Sequence, residues 1–257
     1  MSIIHYRGID YGEKSPDMSW IVEPVEMHRN IYRGKNLGNT VTSEQLAAIE
    51  DGTFDDMFIG DYWEIPVIID NVEKNIKWQI ADMDYWLKVG SSLGKTIIQC
   101  HHLAIVPNEP LYKSVFSNSS QSMYANTTLY QTISKAQAAV DSAFPGLSLT
   151  HARCVPYYNS SNSKYIYDIK ADIMTTLMVF GTTLYTIRPG NWYSLTEPYQ
   201  LALYRLAPNL LRNITFWLSD LSANGQAVLS IYGMPIDVYQ TQTDGVLPCF
   251  ALGVLNS

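Results

Sequence analysis

The sequence predicts an α+β fold, with short strands and two to three helices behind an irregular N-terminal arm. Three observations predict it. Strand-like segments come first, helical segments follow, and short strands return near the C-terminal end, unlike the regular alternation of a parallel βαβ protein. Thr-x-x-Gln signatures at Thr42/Gln45 and Thr128/Gln131 mark two helix starts. Gly and Pro punctuate residues 1–38 without a sustained helical or strand period.

The arm, residues 1–38, is too irregular to fold alone and too apolar to be a solvated tail. Ile3, Ile4, Tyr6, Trp20, Ile21 and Val22 are its candidate docking residues, for a partner or for the chain's own body. The globular body spans 39–257. It opens with a short helix over 42–52: Thr42 caps it, Gln45 closes the capping box, Leu46 and Ile49 share a face, and Gly52 is the stop. Strand-like segments follow at 57–67, 75–86 and 96–107. A second helix is predicted over 129–144, capped by Thr128 and ended by Pro145-Gly146. A third is predicted over 168–180, where Ile169, Ile173, Leu177 and Phe180 form one stripe before Gly181. A helical piece over 199–206 stops at Pro208. Strands over 214–221, 226–232 and 245–252 complete the chain, the first two joined by the hairpin-type loop S-A-N-G-Q.

Composition narrows the function. A chain of 257 residues makes one or two domains and buries a core without staples. Charged residues are only 16%, net charge is -7, and no Lys/Arg cluster is present, so nucleic acid is excluded as a partner. The polar surface is made instead by Ser, Thr, Asn and 18 Tyr, which suits contact with proteins or glycans and equally suits plain solvation. Cys100, Cys154 and Cys249 show neither zinc-ribbon spacing nor a disulfide framework and are expected to be buried free thiols. The start M-S-I-I-H-Y-R lacks a signal-peptide pattern, and no apolar run approaches the roughly 20 residues of a membrane span.

The stretch Q-C-H-H-L-A-I-V-P sets three potential metal ligands side by side. If it is a strand, alternation sends His101 and His102 to opposite faces and leaves only Cys100 with His102, two ligands where a structural zinc wants four. A central strand with hydrogen-bonded histidines is the expectation, with no metal and no cofactor. The acidic run D-D-M-F-I-G-D-Y-W-E and the later A-D-M-D-Y-W, with Asp82 and Asp84 on one face of a predicted strand, offer candidate carboxylate pairs for acid–base chemistry or Ca²⁺, but no EF-hand loop is present and turn and strand-end residues are the preferred reading. No G-x-S-x-G, P-loop, G-x-G-x-x-G or H-E-x-x-H is present, and an enzyme is not expected.

Several segments in order carry a resemblance: I-Y-R-G-K-N-L-G-N-T-V-T-S-E-Q-L-A-A-I-E-D-G-T-F-D-D-M-F-I-G-D-Y-W, W-Q-I-A-D-M-D-Y-W-L, H-H-L-A-I-V-P, F-W-L-S-D-L-S, Q-A-V-L-S and D-G-V-L-P-C-F-A-L. The set, over about 31–252, resembles a family of uncharacterised domains in virion structural proteins of tailed phages that infect Gram-positive bacteria. Its C-terminal part resembles the end of C-type-lectin-like domains, where a W-L-R-[ST]-like strand, a hairpin and a G-V-R-P-x-F strand follow one another. The chain departs from that pattern at Ser219 and Leu247, each standing where Arg is usual, so no ligand site of those domains is carried over.

The resemblance implies a C-type-lectin-like body in a virion component made in the host cytoplasm: a capsid decoration or head-fibre protein held by its arm, or a tail-associated adhesion protein. Its implied partners are other capsid or tail proteins and further copies of itself in a cyclic homo-oligomer. The adhesion reading adds a host-surface glycan, with Tyr157, Tyr158, Trp192 and Tyr193 as candidate contacts. The same aromatics suit packing on a neighbouring subunit.

Overall fold

The computed structural model describes residues 5–6, 9–10, 24–89, 96–117, 126–156, 164–182, 197–221 and 227–255. It is a mixed helix and sheet fold with mostly antiparallel sheets and few helices, as an α+β reading requires. The strands are β1 (His5–Tyr6), β2 (Ile9–Asp10), β3 (Asn36–Gly38), β4 (Tyr62–Ile69), β5 (Val72–Met83), β6 (Leu103–Pro107), β7 (Tyr112–Val115) and β8 (Ser148–Leu149). They continue as β9 (His151–Pro156), β10 (Lys164–Ile169), β11 (Ala171–Ile173), β12 (Phe216–Leu221), β13 (Ala227–Ile231), β14 (Met234–Val238), β15 (Thr243–Val246) and β16 (Pro248–Leu252). The helices are α1 (Pro24–Arg29), α2 (Ser43–Glu50), α3 (Thr128–Ala143), α4 (Thr176–Phe180) and α5 (Ala202–Leu206), with a 3-10 turn at Pro208–Asn213.

Two sheets carry the body. The larger runs β11-β16-β6-β5-β4-β3, with β8 also on β16; the smaller runs β14-β13-β12-β15-β7. The chain crosses between them four times: from β6 to β7, back from β7 to β8, from β11 to β12, and at Leu247 between β15 and β16. The run expected as one strand over 245–252 is therefore two, one in each sheet.

Helix α3 joins the sheets from one side. Leu129 and Ile133, in its first half, pack with Phe116, Trp217, Leu229 and Val246 of the smaller sheet's cluster. Ala136, Ala139 and Val140, in its second half, pack into the larger core. Phe144 at its C-terminal end meets Trp78 edge to face at 5.5 Å and Trp63 at 6.3 Å. Burying each large apolar side chain contributes roughly 1.5–3 kcal/mol, so one helix couples the stability of both sheets.

Local signals were partly obeyed. In α2 the capping box is complete: Thr42 accepts from the Gln45 N–H, and the Gln45 side chain accepts from the Thr42 N–H. In α3 the cap is Thr127, one residue earlier than expected, accepting from Tyr130 N–H at 3.1 Å. The predicted helix over 168–180 is corrected to the end of β10, then β11, then α4. Pairing of Ala171–Ile173 with Phe250–Pro248 outcompetes the apolar stripe. Helix begins only where the Thr175 hydroxyl accepts the Met178 N–H, and it ends at Gly181 in the left-handed region.

Strand β4 starts at Tyr62 rather than residue 57, because the Asp61 carboxylate accepts the Phe58 N–H at 2.9 Å and folds the chain into a turn. Gly60 sits in that turn at φ +84, and a Cβ there would lie 2.2 Å from the Tyr32 ring. Strand β5 begins at Val72, after a two-residue hairpin whose Asp70 and Asn71 both have positive φ (50 and 65). Strand β6 begins only at Leu103. All five of its residues are buried, between β5 and β16 at the centre of the sheet.

No helix among the described residues is long and apolar enough to cross a membrane.

Candidate functional site

Ile3, Ile4, Trp20, Ile21 and Val22, and the aromatics Tyr157, Tyr158, Trp192 and Tyr193, lie outside the described residues. Tyr6 lies in β1, paired with Ile9 of β2. What the structure does place is the base of the N-terminal segment, residues 24–38, and the way it is held to the body.

Two arginines hold it. Arg29 is the last residue of α1, and its Nε donates to Asp82 Oδ1 at 2.7 Å. Asp82 is fully buried and also accepts the Met83 N–H at 2.8 Å and the Ala202 N–H at 3.0 Å. Burial pushes its pKa up, and the Arg29 charge works against that shift. The Arg29 guanidinium lies 4.9 Å from the Tyr199 ring centre. Arg205 of α5 donates from Nη2 to Arg29 O and to Asn30 Oδ1. These groups border a cleft of about 500 Å³ closed by Leu177, Gly181 and Gln200.

Arg33 makes the second attachment. It donates to both oxygens of buried Asp61 and, from Nη1, to Asp56 Oδ1 at 2.6 Å. Asp61 also accepts the backbone N–H of Lys35 at 2.8 Å, so the carboxylate is saturated by the segment and by its own turn. The Lys35 ammonium and the Arg33 guanidinium together draw the Asp56 pKa down to about 2. The Phe58 ring takes His28 stacked at 4.5 Å and the Arg33 guanidinium at 4.5 Å. Beyond Lys35, β3 adds in parallel to β4.

The Cys-His-His stretch needs a correction. Cys100, His101 and His102 precede β6 in a bend, so strand alternation does not separate the histidines. Both meet Asp84 instead. His101 Nδ1 donates to Asp84 Oδ2 at 2.8 Å, and the His102 backbone N–H donates to Asp84 Oδ1 at 3.0 Å. Asp84 holds φ +54, a left-handed conformation that Asp tolerates better than most residues. The His101 ring lies over Gly52, where a Cβ would come within 2.7 Å.

His102 is fully buried. The Trp86 N–H donates to its Nε2 at 3.0 Å, which leaves Nδ1 to donate to Cys100 O. Burial lowers its pKa to about 4, and the buried His151, ring to ring with Trp86 at 4.3 Å, falls to about 3. Both are neutral at pH 7. Cys100 is half-buried rather than buried, while Cys249 is buried. No group of three or more His, Cys, Asp or Glu side chains among the described residues is placed to hold a metal ion. Asp82 and Asp84 do not form a carboxylate pair, since one serves Arg29 and the other the histidine bend.

The interior holds a third charged group that sequence reasoning missed. Arg153 of β9 is 2% exposed. It pairs with Glu197 at 2.6 Å and Asp172 at 3.3 Å, and donates to Ile173 O and Ser219 Oγ at 2.8 Å each. Asp220 beside it accepts the Thr176 N–H, and burial raises its pKa to about 6. One signal was present in the sequence: an arginine in the otherwise apolar strand H-A-R-C-V-P is either on an open face or the centre of a buried network.

Comparison with protein-family models, with curated proteins and with solved structures gives no match for this chain.

Proposed function

We propose that the protein is a structural component of a bacteriophage virion, a capsid decoration or head-fibre protein that docks through its N-terminal segment and displays a C-type-lectin-like body. The ordered set of segments over about 31–252 carries this reading. The attachment of 24–38 supports it. Load applied through residues 1–23 would pass into the buried carboxylates Asp82 and Asp61 and the edge strand β3, not into a loose tether.

Two further features support assembly and the lectin-like body. The β13–β14 hairpin exposes Tyr232, Met234, Ile236 and Tyr239 close together in sequence, an apolar surface suited to a neighbouring virion protein or a second copy. Pro235 in that edge strand has no N–H to offer, which favours contact through side chains over strand addition. Ser219, standing where the lectin-like pattern carries Arg, accepts a hydrogen bond from Arg153, so a guanidinium reaches the position from another strand.

Gold-labelled antibody against the body, applied to purified particles, tests the reading. Label on heads is the expected result. Label on the tail tip would replace decoration by the adhesion reading. Unlabelled particles that lack the protein by mass spectrometry would overturn both.

A further inference from the structure

Asp82 is where the N-terminal segment, the larger sheet and α5 meet. It lies in β5 at 0% exposure. Its Oδ1 takes the Arg29 guanidinium and the Met83 N–H, and its Oδ2 takes the N–H of Ala202, the first residue of α5. The geometry points to a proton-operated latch: a proton can take the place of Arg29 on Asp82, so that acid loosens α1 from the body before it unfolds the body.

The first support is an asymmetry of exposure. The Arg29 side chain is 19% exposed at the edge of the cleft of about 500 Å³ and can swing into water, while Asp82 is fixed in the sheet and cannot follow. Departure of Arg29 therefore strands a carboxylate in the core. A stranded buried charge is neutralised rather than kept, and for a carboxylate a proton does this. Burial already raises the Asp82 pKa above 3.8 with Arg29 in place, and the Arg29 charge is the largest cause opposing that rise. Without Arg29 the pKa rises further, so release takes up a proton. The hold is at full strength above the pKa of the released state and is lost as pH falls through that of the docked state. Against the unfolded chain the sign reverses. The docked pKa is already above 3.8, so protonating Asp82 favours the folded body while it loosens the segment.

The second support is the company Asp82 keeps. Burial pushes up the phenols of Tyr85 and of Tyr204 in α5 and the thiol of Cys249 in β16, so all three are neutral. Arg29 is thus the charge that answers Asp82. The other contacts of α1 persist in acid. Arg205 of α5 spends its Nη2 on Arg29 O and Asn30 Oδ1. His28 donates from Nδ1 to Met57 O and stacks on Phe58 in either charge state. Further along the segment, Arg33 also grips exposed Asp56, whose carboxyl the Lys35 and Arg33 hydrogen bonds draw down to about 2. Residues 33–38 therefore stay attached to a lower pH than 24–29. The inference stands apart from the virion reading, because it concerns how the isolated chain holds its own segment.

Amide exchange of the full-length protein between pH 7 and pH 4, expressed as protection factors, tests it. Loss of a charged hydrogen bond predicts that protection over 24–29 falls about tenfold or more, with smaller changes over 33–38 and in β6. Asp82→Asn, which cannot ionise, should show the low protection at every pH. In the infrared at pH 7, Arg29→Ala should carry a protonated-carboxyl band that is absent from the wild type and lost again in Arg29→Ala/Asp82→Asn. Near-UV circular dichroism establishes that the variants are folded, and the wild-type titration decides alone where one is not. The proposal fails if protection over 24–29 does not change with pH, or if it falls no further than that of β6. It also fails if folded Asp82→Asn keeps the wild-type pH dependence, or if Arg29→Ala shows no such band.

Discussion

Two arginine clusters hold this protein together, and they differ in what they join. Arg153 is buried with Asp172, Glu197 and Asp220 and links β9, β11, α4 and β12 inside the body. Arg29 and Arg33 sit at the rim and link residues 24–38 to buried carboxylates of that body. Both use Arg against Asp, but solvent reaches only one. The Arg29 and Arg33 side chains are 19% and 29% exposed, against 2% for Arg153. A buried pair left without its partner strands a charge in low dielectric, whereas a rim pair can open and rehydrate. The interior cluster is therefore bound to global unfolding and the rim cluster to local release of the N-terminal segment.

Removing the interior cation should break the comparison hardest. Arg153→Met leaves Asp172 and Glu197 buried without their cation and should cost about 3–5 kcal/mol, read as a lower urea midpoint for the whole body. An unchanged midpoint would mean the cluster's charge is neutralised some other way.

Asp220 sharpens the same side through pH. Its folded-state pKa is raised from 3.8 to about 6, so the stability tied to its neutral form is full below pH 3.8 and lost as pH rises through 6. Asp220→Asn should therefore gain on the wild type above pH 6, by up to about 3 kcal/mol, and lose that advantage below pH 4. His102 and His151 act in the opposite sense. Their folded pKa values lie below 6.5, so their contribution is present above 6.5 and lost as pH falls through about 4 and about 3. They belong to wild type and variant alike and cancel in the difference.

Arg29→Ala should cost less, about 1–3 kcal/mol, because Asp82 keeps its two backbone donors. Its signature is regional. Amide exchange should rise across 24–38 while β6 and β16 stay protected. Equal acceleration in β6 would merge the two clusters into one unit. Asp56→Ala should have the smallest effect, since Asp56 is exposed and its pairs are screened by salt. Its contribution is present above pH 3.8 and lost as pH falls through about 2, so wild type and variant should converge there.

Much of the framework was legible in the sequence, because short-range chemistry wrote it. The Thr42–Gln45 box, the stop at Gly52 and the β12–β13 hairpin all follow from neighbouring residues. What was not legible depended on distant partners. The stripe Ile169, Ile173, Leu177, Phe180 has a helical period, yet β16, more than seventy residues on, captures Ala171–Ile173 as a strand. His101 and His102 sit in a strand-like run, yet Asp84 bends them out of it. The cleft beside Arg29 was invisible for the same reason, since Arg29, Leu177, Tyr199 and Arg205 come together only in the fold.

The central claim is that the body is a displayed scaffold and residues 1–23 its attachment, with 24–38 as the joint. Deletion of 1–23, which spares Arg29, Arg33 and β3, tests it most directly, with near-UV circular dichroism to establish folding and quantitative mass spectrometry to count copies in purified particles. The account predicts a folded protein with a wild-type near-UV spectrum that is missing from particles. A truncated protein incorporated at the normal copy number would contradict it.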